Sequence, residues 1–575
     1  VVTVDVPPTS GAAVDYHQKV SLDSSATTGT TLTGLFAKKD WSFHDVTNLG
    51  DITGDGVTEI AVGAPFDDKD NKDAGTVYIM TVDVNGNVTA VKEIQNADPI
   101  DAKSKKDYFG WSVEAIGDLD GNGVSELAVG SILDEVTGAS STQKDRGSVR
   151  ILFLDTSLNV INETILGDGF AGSPALSGVL EKKGKFGSSI AALGDLDNDG
   201  VRDIVVGAQE EDGDASGLKD FGLAYVLFLN SDGTLKNFTT VSESAFATAE
   251  TSKKDRFATA VAVPGDIDGD GTNDIVIGAP GDDVIGGGER GAIYVIFMES
   301  NGTVNSYQKI GMSTQSSGLG GFGGDLSNKD LFGTSVAALG DVNKDGIPDI
   351  GVGAPLDDDG NGNDQGAFWM LYMNANGTVS FETKVSRIEG NFVGGLDKKD
   401  LFGQSITSIG DIDGNCVDDF LVGATLDDVD LGALAGLKDV GAGYILFMED
   451  AVDVPLKENV PNTGMEPVAI NNFPTQAEGY DSKAISRTEM LTEFAMDVYP
   501  NPTSGVATVN VGYNGDATAT LEMFDILGQK VLDTEQSISG HASIQINLEH
   551  LQSGQYLIKL SIGDDYISKF VTLNK

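Results

Sequence analysis

The chain has 575 residues, with 88 Asp plus Glu against 37 Lys plus Arg, and a formal net charge of -51 at pH 7. An excess of negative charge this large repels phosphate backbones and anionic membrane surfaces, so nucleic acid is excluded as a partner. The single cysteine, Cys416, excludes an intramolecular disulfide and a thiolate zinc site.

Two features of the sequence concern membranes and export. No apolar run reaches the roughly 18 to 20 residues that span a bilayer, so we expect no transmembrane segment. The sequence opens on Val1 rather than on Met and a basic, apolar leader, which predicts a mature chain whose signal peptide has been removed. The 74 glycines and 15 prolines are typical of a globular chain with many tight turns.

A nine-residue acidic run followed by a short apolar strand occurs six times. One copy is Asp195–Asp203, followed by Ile204–Ala208. The copies start 67 to 77 residues apart, at Asp51, Asp118, Asp195, Asp266, Asp341 and Asp411. A regular repeat of this length predicts stacked or radial structural units.

Each repeat is predicted to contain four strands. In the second repeat these are Phe109–Gly117, Leu127–Gly130, Gly147–Leu154 and a weaker segment from Asn159 to Leu166. Glycine-rich junctions without helical periodicity argue against a βαβ unit. Radially repeated four-stranded sheets build a β-propeller, and we predict an all-β fold with six blades, seven being less favoured by the intervals.

The sixth repeat lacks a fourth strand of its own after Phe447. The N-terminal segment Asp15–Leu22 is similar to the fourth-strand segment Ser306–Met312. Residues 1–30 are therefore predicted to supply the outer strand that closes the last blade, within a propeller domain of residues 1–450.

Beyond the propeller, the repeat disappears. Residues 451–494 combine four prolines with polar residues and predict a linker. Residues 495–575 contain short strand patterns such as Ala507–Val511, Leu521–Phe524 and Tyr556–Leu560, which predict a small Ig-like β-sandwich.

The nine-residue runs are predicted to bind Ca²⁺, which takes six to eight oxygen ligands at about 2.3 to 2.6 Å. Positions one, three, five and nine carry oxygen-bearing side chains, and position seven would offer its backbone carbonyl. The predicted ligands are Asp51, Thr53, Asp55, Val57 and Glu59; Asp118, Asp120, Asn122, Val124 and Glu126; Asp195, Asp197, Asp199, Val201 and Asp203; Asp266, Asp268, Asp270, Thr272 and Asp274; Asp341, Asn343, Asp345, Ile347 and Asp349; and Asp411, Asp413, Asn415, Val417 and Asp419. We expect about six Ca²⁺ ions, one per blade, with the weakest binding in the first copy, because of Thr53, and in the last, because Cys416 replaces the glycine of position six.

An EF-hand and an ordinary hairpin turn are the alternatives to a Ca²⁺-binding hairpin loop. An EF-hand needs an acidic ligand at position twelve. Position twelve here is apolar in every copy, as Val129 and Val206 illustrate, which excludes the EF-hand. Asp-Gly and Asn-Gly pairs also form ordinary hairpin turns. Six copies that all keep oxygen ligands at four positions favour metal binding, since so much like charge in one loop is costly without a counter-ion.

The residues that flank the loops resemble the FG-GAP repeat. Phe-Gly precedes the loop at Phe109-Gly110, Phe186-Gly187, Phe332-Gly333 and Phe402-Gly403, and Gly-Ala-Pro follows it at Gly63-Ala64-Pro65, Gly278-Ala279-Pro280 and Gly353-Ala354-Pro355. The resemblance implies the calcium-bearing propeller of integrin α-subunits and of many bacterial surface proteins. The six units differ from the seven of integrins, which puts integrin-style docking of a partner in doubt.

The C-terminal region resembles the type A sorting domain of the bacterial type IX secretion system. The similar segments are Val498–Gly505, Phe524–Val531, Gly554–Tyr556 and Lys569–Val571. The resemblance implies that residues 495–575 engage the type IX secretion machinery. It also implies that the protein is secreted or lies on the outer surface of a Gram-negative bacterium, as in the Bacteroidota. An ordinary adhesive sandwich domain is the alternative.

The function predicted from these features is a calcium-stabilised binding or adhesion module with an extracellular protein or glycan ligand. The alternatives are a lectin-like or enzyme-accessory propeller and a structural surface or filament component. The three tryptophans, Trp41, Trp111 and Trp369, are predicted to lie in strands, which argues against a repeated sugar-stacking position.

No enzymatic activity is predicted. The histidines His17, His44, His541 and His550 occupy no common position in the repeat, and the chain has no Gly-x-Ser-x-Gly motif. Gly318, Gly320 and Gly323 fit a dinucleotide-binding pattern but lack its strand-to-helix context. Repeated Lys-Asp and Asp-Asp pairs, such as Lys329-Asp330 and Asp357-Asp358, are predicted to join neighbouring blades through ion pairs.

Overall fold

The structure, a computed structural model, describes most of the chain up to residue 449 and much of it after 494. The described residues are 13–20, 39–68, 72–95, 106–134, 145–212, 218–242, 245–246, 252–282, 288–314, 317–358, 364–392, 395–415, 417–428, 438–449, 495–499, 506–525, 530–548, 551, 554–562 and 565–573. Two units are distinguished, Val1–Glu458 and Asn459–Lys575. The predicted linker, residues 451–494, and Cys416 lie outside the described residues.

The first unit consists of antiparallel sheets in which consecutive strands pair. Sheet one contains β2 (Val46–Gly50), β3 (Thr58–Ala64), β4 (Thr76–Val82) and β5 (Val88–Gln95); sheet two contains β6 (Phe109–Gly117), β7 (Glu126–Ser131), β8 (Ser148–Leu154) and β9 (Val160–Gly167); sheet three contains β10 (Phe186–Gly194), β11 (Asp203–Ala208), β12 (Leu223–Leu229) and β13 (Leu235–Val241). Sheet four contains β14 (Ala260–Gly265), β15 (Asp274–Ala279), β16 (Ala292–Met298), β17 (Val304–Thr314) and β18 (Ser317–Leu319); sheet five contains β19 (Ser335–Gly340), β20 (Asp349–Ala354), β21 (Ala367–Met373) and β22 (Val379–Ser386). Sheet six contains β23 (Phe402–Gly410), β24 (Asp419–Ala424), β25 (Ala442–Glu449) and, next to β25, β1 (Ala13–Val20).

The second and third strands of each sheet are buried on both faces. Every residue of β7 and β8 is buried, whereas the first four residues of the fourth strand β9 are exposed. Sheets that pack face to face cover both sides of their central strands, which explains why these strands are continuous apolar runs rather than alternating ones.

Glycines recur at equivalent positions of the repeat for a steric reason. The backbones of neighbouring sheets lie so close together at these positions that a side chain would clash. A Cβ on Gly63 of sheet one would lie 2.1 Å from the carbonyl oxygen of Gly110 in sheet two. The same clash would arise between Gly130 and Gly187, at 2.1 Å. The glycines that precede Ala-Pro and follow Phe are therefore contact points between sheets.

Sheet six contacts sheet one in the manner in which other neighbouring sheets meet. Ser405 Oγ donates a hydrogen bond of 2.9 Å to the carbonyl of Phe43, as Ser112 Oγ does to the carbonyl of Gly187. The amide of Lys39 donates to the carbonyl of Asp439 at 3.0 Å. Residues of both sheets, including Val46 and Leu421, share one apolar cluster.

β1 forms the outer strand of sheet six. It pairs with β25 in antiparallel register from Ala13 opposite Glu449 to Val20 opposite Gly443. Tyr16 stacks on Phe447 with ring centroids 4.0 Å apart. Lys19 Nζ lies 2.6 Å from Asp427 Oδ1, whose side chain is 3% exposed.

The Lys-Asp segments join sheets in a different way from the predicted ion pairs. The amide of Lys399, before sheet six, donates to the carbonyl of Asp364 in the preceding sheet, and the carbonyl of Asp400 accepts from the amide of Leu426. The ion pairs run instead within one sheet, as between Lys384 of β22 and Asp357 at 2.8 Å. The structure thus shows a backbone link between sheets at these segments, and ion pairs between neighbouring blades stay a prediction.

Buried acid pairs remain at these positions. Asp330, which is 3% exposed, lies beside Asp357. The pKa of Asp330 is raised to about 8, mainly by burial and to a smaller extent by the negative charge of Asp357. Burial and the charge of Asp427 likewise raise the pKa of Asp400 to about 7.

These raised pKa values predict that the folded unit loses stability as pH rises. The folded state keeps protons on Asp330 and Asp400 that the unfolded chain releases above its ordinary carboxyl pKa of about 4, so their contribution is full below about pH 4 and is lost as pH rises to about 8. We expect Asp330→Asn to flatten the fall in melting temperature between about pH 4 and about pH 8. Melting curves in constant calcium measure it, with the exposed Glu299→Gln as control, and an unchanged pH slope in Asp330→Asn would contradict the assignment.

The second unit is a sheet of long strands. Its strands are β26 (Ala495–Tyr499), β27 (Val506–Asp525), β28 (Lys530–Asn547), β29 (Gly554–Ile562) and β30 (Asp565–Leu573), in the order β26-β27-β29-β30 with β28 also paired to β27. The two strands predicted around Ala507–Val511 and Leu521–Phe524 are one strand, β27, whose pairing with β28 shifts between Gly512 and Asp516. The Ig-like sandwich stays a prediction.

Candidate metal sites

The six acidic runs occupy equivalent places in the six sheets. Each joins the first strand to the second, for example Asp118–Ser125 between β6 and β7. All six therefore lie at the same end of their sheets, so the repeat in sequence is also a repeat in space.

The first aspartate of each run organises the loop by accepting backbone hydrogen bonds. In the second loop Asp118 Oδ1 accepts from the amides of Gly121, at 2.7 Å, and Asn122, at 3.1 Å, and Oδ2 accepts from Gly123 at 2.8 Å. The corresponding aspartates each accept from at least two of these positions in their own loops: Asp51, Asp195, Asp266, Asp341 and Asp411. Ionised carboxylates strengthen such bonds, which hold the loop tightly curled.

Two positions of the loop adopt left-handed backbone conformations. Position six was predicted from its glycines, and Gly123 and Gly200 have φ of 86° and 90°. Position four is also left-handed, with Gly121 at 79°, Asn198 at 58° and Lys344 at 61°. The sequence signal for position four is weaker because Asn tolerates this conformation and Lys344 adopts it without being a favoured residue there.

The acid at position nine is buried beneath the loop. Glu126 and Asp274 are 0% exposed and Asp203 is 1% exposed. One oxygen of each accepts from the amide at position two, as Asp274 Oδ2 does from Ile267 at 2.9 Å. The other oxygen of Asp274 accepts from the amide of Met298 in the third strand at 3.1 Å, so this acid also ties the loop to the sheet.

Acidic oxygens converge in four of the six loops. Atoms that could each contribute one ligand lie within 4.8 Å of one another in Asp118, Asp120 and Glu126; in Asp195, Asp197 and Asp199; in Asp266, Asp268 and Asp274; and in Asp411, Asp413 and Asp419. In the first and fifth loops an uncharged residue stands at position three. Thr53 Oγ1 there donates to Glu59 at 3.4 Å, and Asn343 Nδ2 donates to Asp345 at 3.0 Å.

At position five the side chain bonds within the loop. Asn122 Oδ1 accepts from the amide of Val124 and Asn415 Oδ1 from that of Val417, both at 2.7 Å. Asp55, Asp199, Asp270 and Asp345 accept in the same way from Val57, Val201, Thr272 and Ile347. Whether the carbonyls of position seven bind metal stays a prediction.

Buried oxygens in two loops lack a hydrogen-bond partner. They are Glu126 Oε1 and Asp197 Oδ1. Such an atom in a native protein calls for an explanation by an ion or water. A set of carboxylate and amide oxygens with no nitrogen or sulfur ligand fits a hard cation such as Ca²⁺.

Burial makes the position-nine acids hard to ionise without a cation. It raises the pKa of Glu126 to about 7, an effect that Asp120 and Asp118 add to. Burial also raises the pKa of Asp349 and of Asp419 to about 7. A divalent cation between these carboxylates would offset the cost of removing their charges from water.

The third loop contains a cation of its own. Lys236 of β13 places Nζ 2.6 Å from Asp197 Oδ2 and 2.6 Å from Asp199 Oδ2. The pKa of Lys236 is raised by its hydrogen bonds to these carboxylates. Sequence reasoning missed this residue because it lies on a strand far along the chain from the loop.

Models of known families match both units. The model of the FG-GAP repeat matches residues 46–80, 186–227, 257–296 and 332–371. This chain carries FG-GAP repeats. The matches include β2 to β4 of sheet one and the equivalent strands of sheets three, four and five, so the FG-GAP repeat coincides with the sheet that holds the loop.

Curated relatives of the FG-GAP region are integrin α-subunits. Integrin alpha pat-2 of Caenorhabditis briggsae is 28% identical over 250 residues, which is 41% of this chain and 18% of that protein. Human integrin alpha-6 is 34% identical over 165 residues, 28% of this chain and 12% of that protein. The chain thus spans less than a fifth of either relative. Among solved structures, dimeric latent PorU from Porphyromonas gingivalis matches at 13% identity over 49% of this chain and 32% of that chain, with a TM-score of 0.13, too low to bear on the fold.

The C-terminal unit matches the secretion system C-terminal sorting domain over residues 497–574. A sorting domain of the type IX secretion system implies that the protein is secreted or attached to the outer surface of the cell. In the described residues of the FG-GAP protein, no helix is long and apolar enough to cross a membrane.

Proposed function

We propose that the FG-GAP unit is a calcium-stabilised six-bladed propeller that acts outside the cell as a binding or adhesion module. Closure of the ring is supported by the contacts of sheet six with sheet one, through Ser405 and Phe43, and by the pairing of β1 with β25. Calcium is proposed at all six loops, with the residues named above as ligands.

The observation that carries the proposal is the second metal loop. Asp118, Asp120 and Glu126 bring three carboxylates within 4.8 Å, and one oxygen of the fully buried Glu126 has no hydrogen-bond partner. Such an arrangement is costly as a turn and favourable as a Ca²⁺ site. The integrin relatives make adhesion the first function to test, although the chain spans only a part of them.

The proposed module is not an enzyme. His44 lies before β2 and His17 on β1, and burial lowers the pKa of His44 to about 4, which keeps it uncharged. A neutral, packed imidazole suits a structural contact with Trp111, whose carbonyl lies 2.9 Å from His44 Nδ1. The accessory and filament roles predicted from the sequence remain alternatives.

The experiment compares cells that produce the chain with cells that lack it, for attachment to surfaces coated with extracellular polysaccharide or protein. We expect the producing cells to attach more strongly in calcium and to lose this advantage in a calcium chelator. Cells that produce the Glu126→Gln variant should attach less strongly in calcium. Cells that produce Glu299→Gln, which changes an acid outside the loops, should attach as before, and this difference would show that attachment depends on the loop. Equal attachment of producing and lacking cells on both coatings would overturn the adhesion function.

A further inference from the structure

We propose that the cavity between the first strands of the six sheets binds a terminal sugar residue of a neutral glycan. The proposal rests on the proposed binding function and names its ligand class. It concerns a place other than the metal loops, because the cavity is lined by the first strands and by residues around them, and none of the predicted metal ligands lines it.

The cavity has the size of a small-molecule site. Its volume is about 570 Å³, and residues of β2, β6, β10, β14, β19 and β23 all line it. Ligand sites in proteins measure about 300 to 1,000 Å³ and combine apolar walls with a few polar groups. The volume is enough for one or two sugar rings.

One wall is acidic. Asp45 Oδ2 accepts from the amide of Val113 at 2.9 Å, and Glu114 accepts from the amide of Ala192 and from Thr47 Oγ1, both at 3.2 Å. Neither acid forms an ion pair with a lysine or arginine in the described part of the chain. Burial raises the pKa of both to about 7. Each carboxylate has four lone-pair sites, so both can accept further hydrogen bonds from ligand hydroxyls.

The repeat does not need an acid at the position of Glu114. Counting back from the first residue of each metal loop, the position of Glu114 is held elsewhere by Thr47, Ala191, Ala262, Ala337 and Thr407. Sheets three, four and five therefore form with alanine at this position. An acid in one sheet alone indicates a role that belongs to the cavity and not to the repeat.

A buried hydroxyl supplies the second, independent sign of a ligand. Thr425 lines the cavity and is 1% exposed, yet its Oγ1 has no hydrogen-bond partner in the described residues. A buried hydroxyl without a partner is unfavourable, and a ligand with an acceptor would supply the missing hydrogen bond.

Part of the remaining lining is apolar. Sheets three to five contribute Ala191, Ala262, Val263 and Ala338 to the cavity, beside polar residues such as Ser335. Small side chains leave the space open, and their methyl groups suit the C–H face of a sugar ring. A ligand with hydroxyls on one edge and C–H groups on its faces matches both parts of the lining.

Aromatic residues collect beside the acidic wall. Trp41, which lies outside the strands contrary to the sequence prediction, and Trp111 both line the cavity. His44 lies between them, with its ring centroid 4.3 Å from that of Trp111. Half-buried tryptophans next to hydrogen-bond acceptors provide a stacking surface with oriented polar groups. The aromatics are therefore gathered at one place instead of repeated in every blade.

A sugar fits the polar groups better than an organic ammonium ion. An ammonium only donates hydrogen bonds and would satisfy the carboxylates, but it offers no acceptor to the Thr425 hydroxyl. Sugar hydroxyls both donate and accept. The cavity is also lined by Lys185, which pairs with Glu210 at 2.7 Å, and by Arg256, whose guanidinium would repel an ammonium and can donate to ring and hydroxyl oxygens.

The test uses the full chain in calcium. Calorimetric titration with methyl glycosides of glucose, galactose, mannose, fucose and N-acetylglucosamine, and with propylammonium as the amine probe, measures binding. We expect at least one glycoside to bind and propylammonium not to bind. Glu114→Ala, which introduces the residue that three sheets already carry, and Ala262→Leu, which fills the cavity, should each weaken binding at least tenfold.

The controls separate this inference from the calcium proposal. Glu299→Ala, an exposed acid away from the cavity, should bind the glycoside as the unaltered chain does. Melting curves with and without chelator show whether each variant keeps its calcium-dependent fold. If no glycoside binds, or if Glu114→Ala and Ala262→Leu both bind it normally, the glycan site is overturned, while a chelator-sensitive melting temperature would leave the calcium proposal standing. Binding of propylammonium alone would also overturn it.

Discussion

Chelating calcium from the full chain is expected to lower the melting temperature of the FG-GAP unit by 10 °C or more, on the order of what several lost sites produce. Each site that binds only the folded state contributes about 2.7 kcal/mol when free calcium is about 100 times Kd. The position-nine acids, which are 0 to 1% exposed, are the residues left most unfavourably placed when the cation is removed. Calorimetry with chelator, followed by restored calcium, measures the effect.

A series of single substitutions locates the effect. Glu126→Gln removes the charge beneath the second loop and should lower the melting temperature in calcium while reducing the further loss on chelation. Glu299→Gln changes an exposed acid outside the loops and should leave both quantities as they are. A chain that melts at the same temperature with and without chelator would show that the loops are turns without a structural metal.

Removing β1 is expected to have the second large effect. A chain that starts at residue 23 loses the outer strand of sheet six, exposes the edge of β25 and leaves Asp427 without Lys19. Breaking a buried ion pair alone costs about 3 to 5 kcal/mol. We expect the melting temperature to fall by at least about 10 °C, because an unpaired edge strand next to an apolar core invites opening and aggregation.

The matched control starts at residue 13 and keeps all of β1. It should melt as the full chain does. Lys19→Met, which keeps the strand but removes the charge opposite Asp427, should give an intermediate loss. Equal melting temperatures for the chains starting at residues 13 and 23 would contradict a stabilising role of the outer strand.

The sequence predicts the repeated parts of the protein well because repetition turns weak signals into strong ones. One acidic run is ambiguous, but six runs at similar intervals, four preceded by Phe-Gly and three followed by Gly-Ala-Pro, specify the strands on both sides. The close approach of Gly63 and Gly110 explains why these glycines recur. The pairing of β1 was also accessible, since Asp15–Leu22 carries the pattern of a fourth strand.

Features that occur only once in the chain could not be predicted from repetition in the sequence. The separate strand patterns Ala507–Val511 and Leu521–Phe524 form one long strand, β27, whose pairing with β28 continues on both sides of the register shift between Gly512 and Asp516. Sheet pairing of this kind outweighs local preference. Asp45, Glu114 and Thr425 come from separate parts of the chain and meet only when sheets one, two and six are neighbours. No spacing in the sequence indicates such a meeting.

Lys236 on β13 places a positive charge inside the third metal loop at any calcium concentration. Its ammonium already lies between Asp197 and Asp199, so the β10–β11 hairpin can form where calcium is scarce. In the described residues this loop and the loop of sheet two each keep one buried oxygen without a hydrogen-bond partner, on Asp197 and on Glu126, but no lysine pairs with the acids of the sheet-two loop. The third loop is therefore expected to lose less stability than the second when calcium is scarce, so that one loop of the repeat tolerates a medium that the others do not.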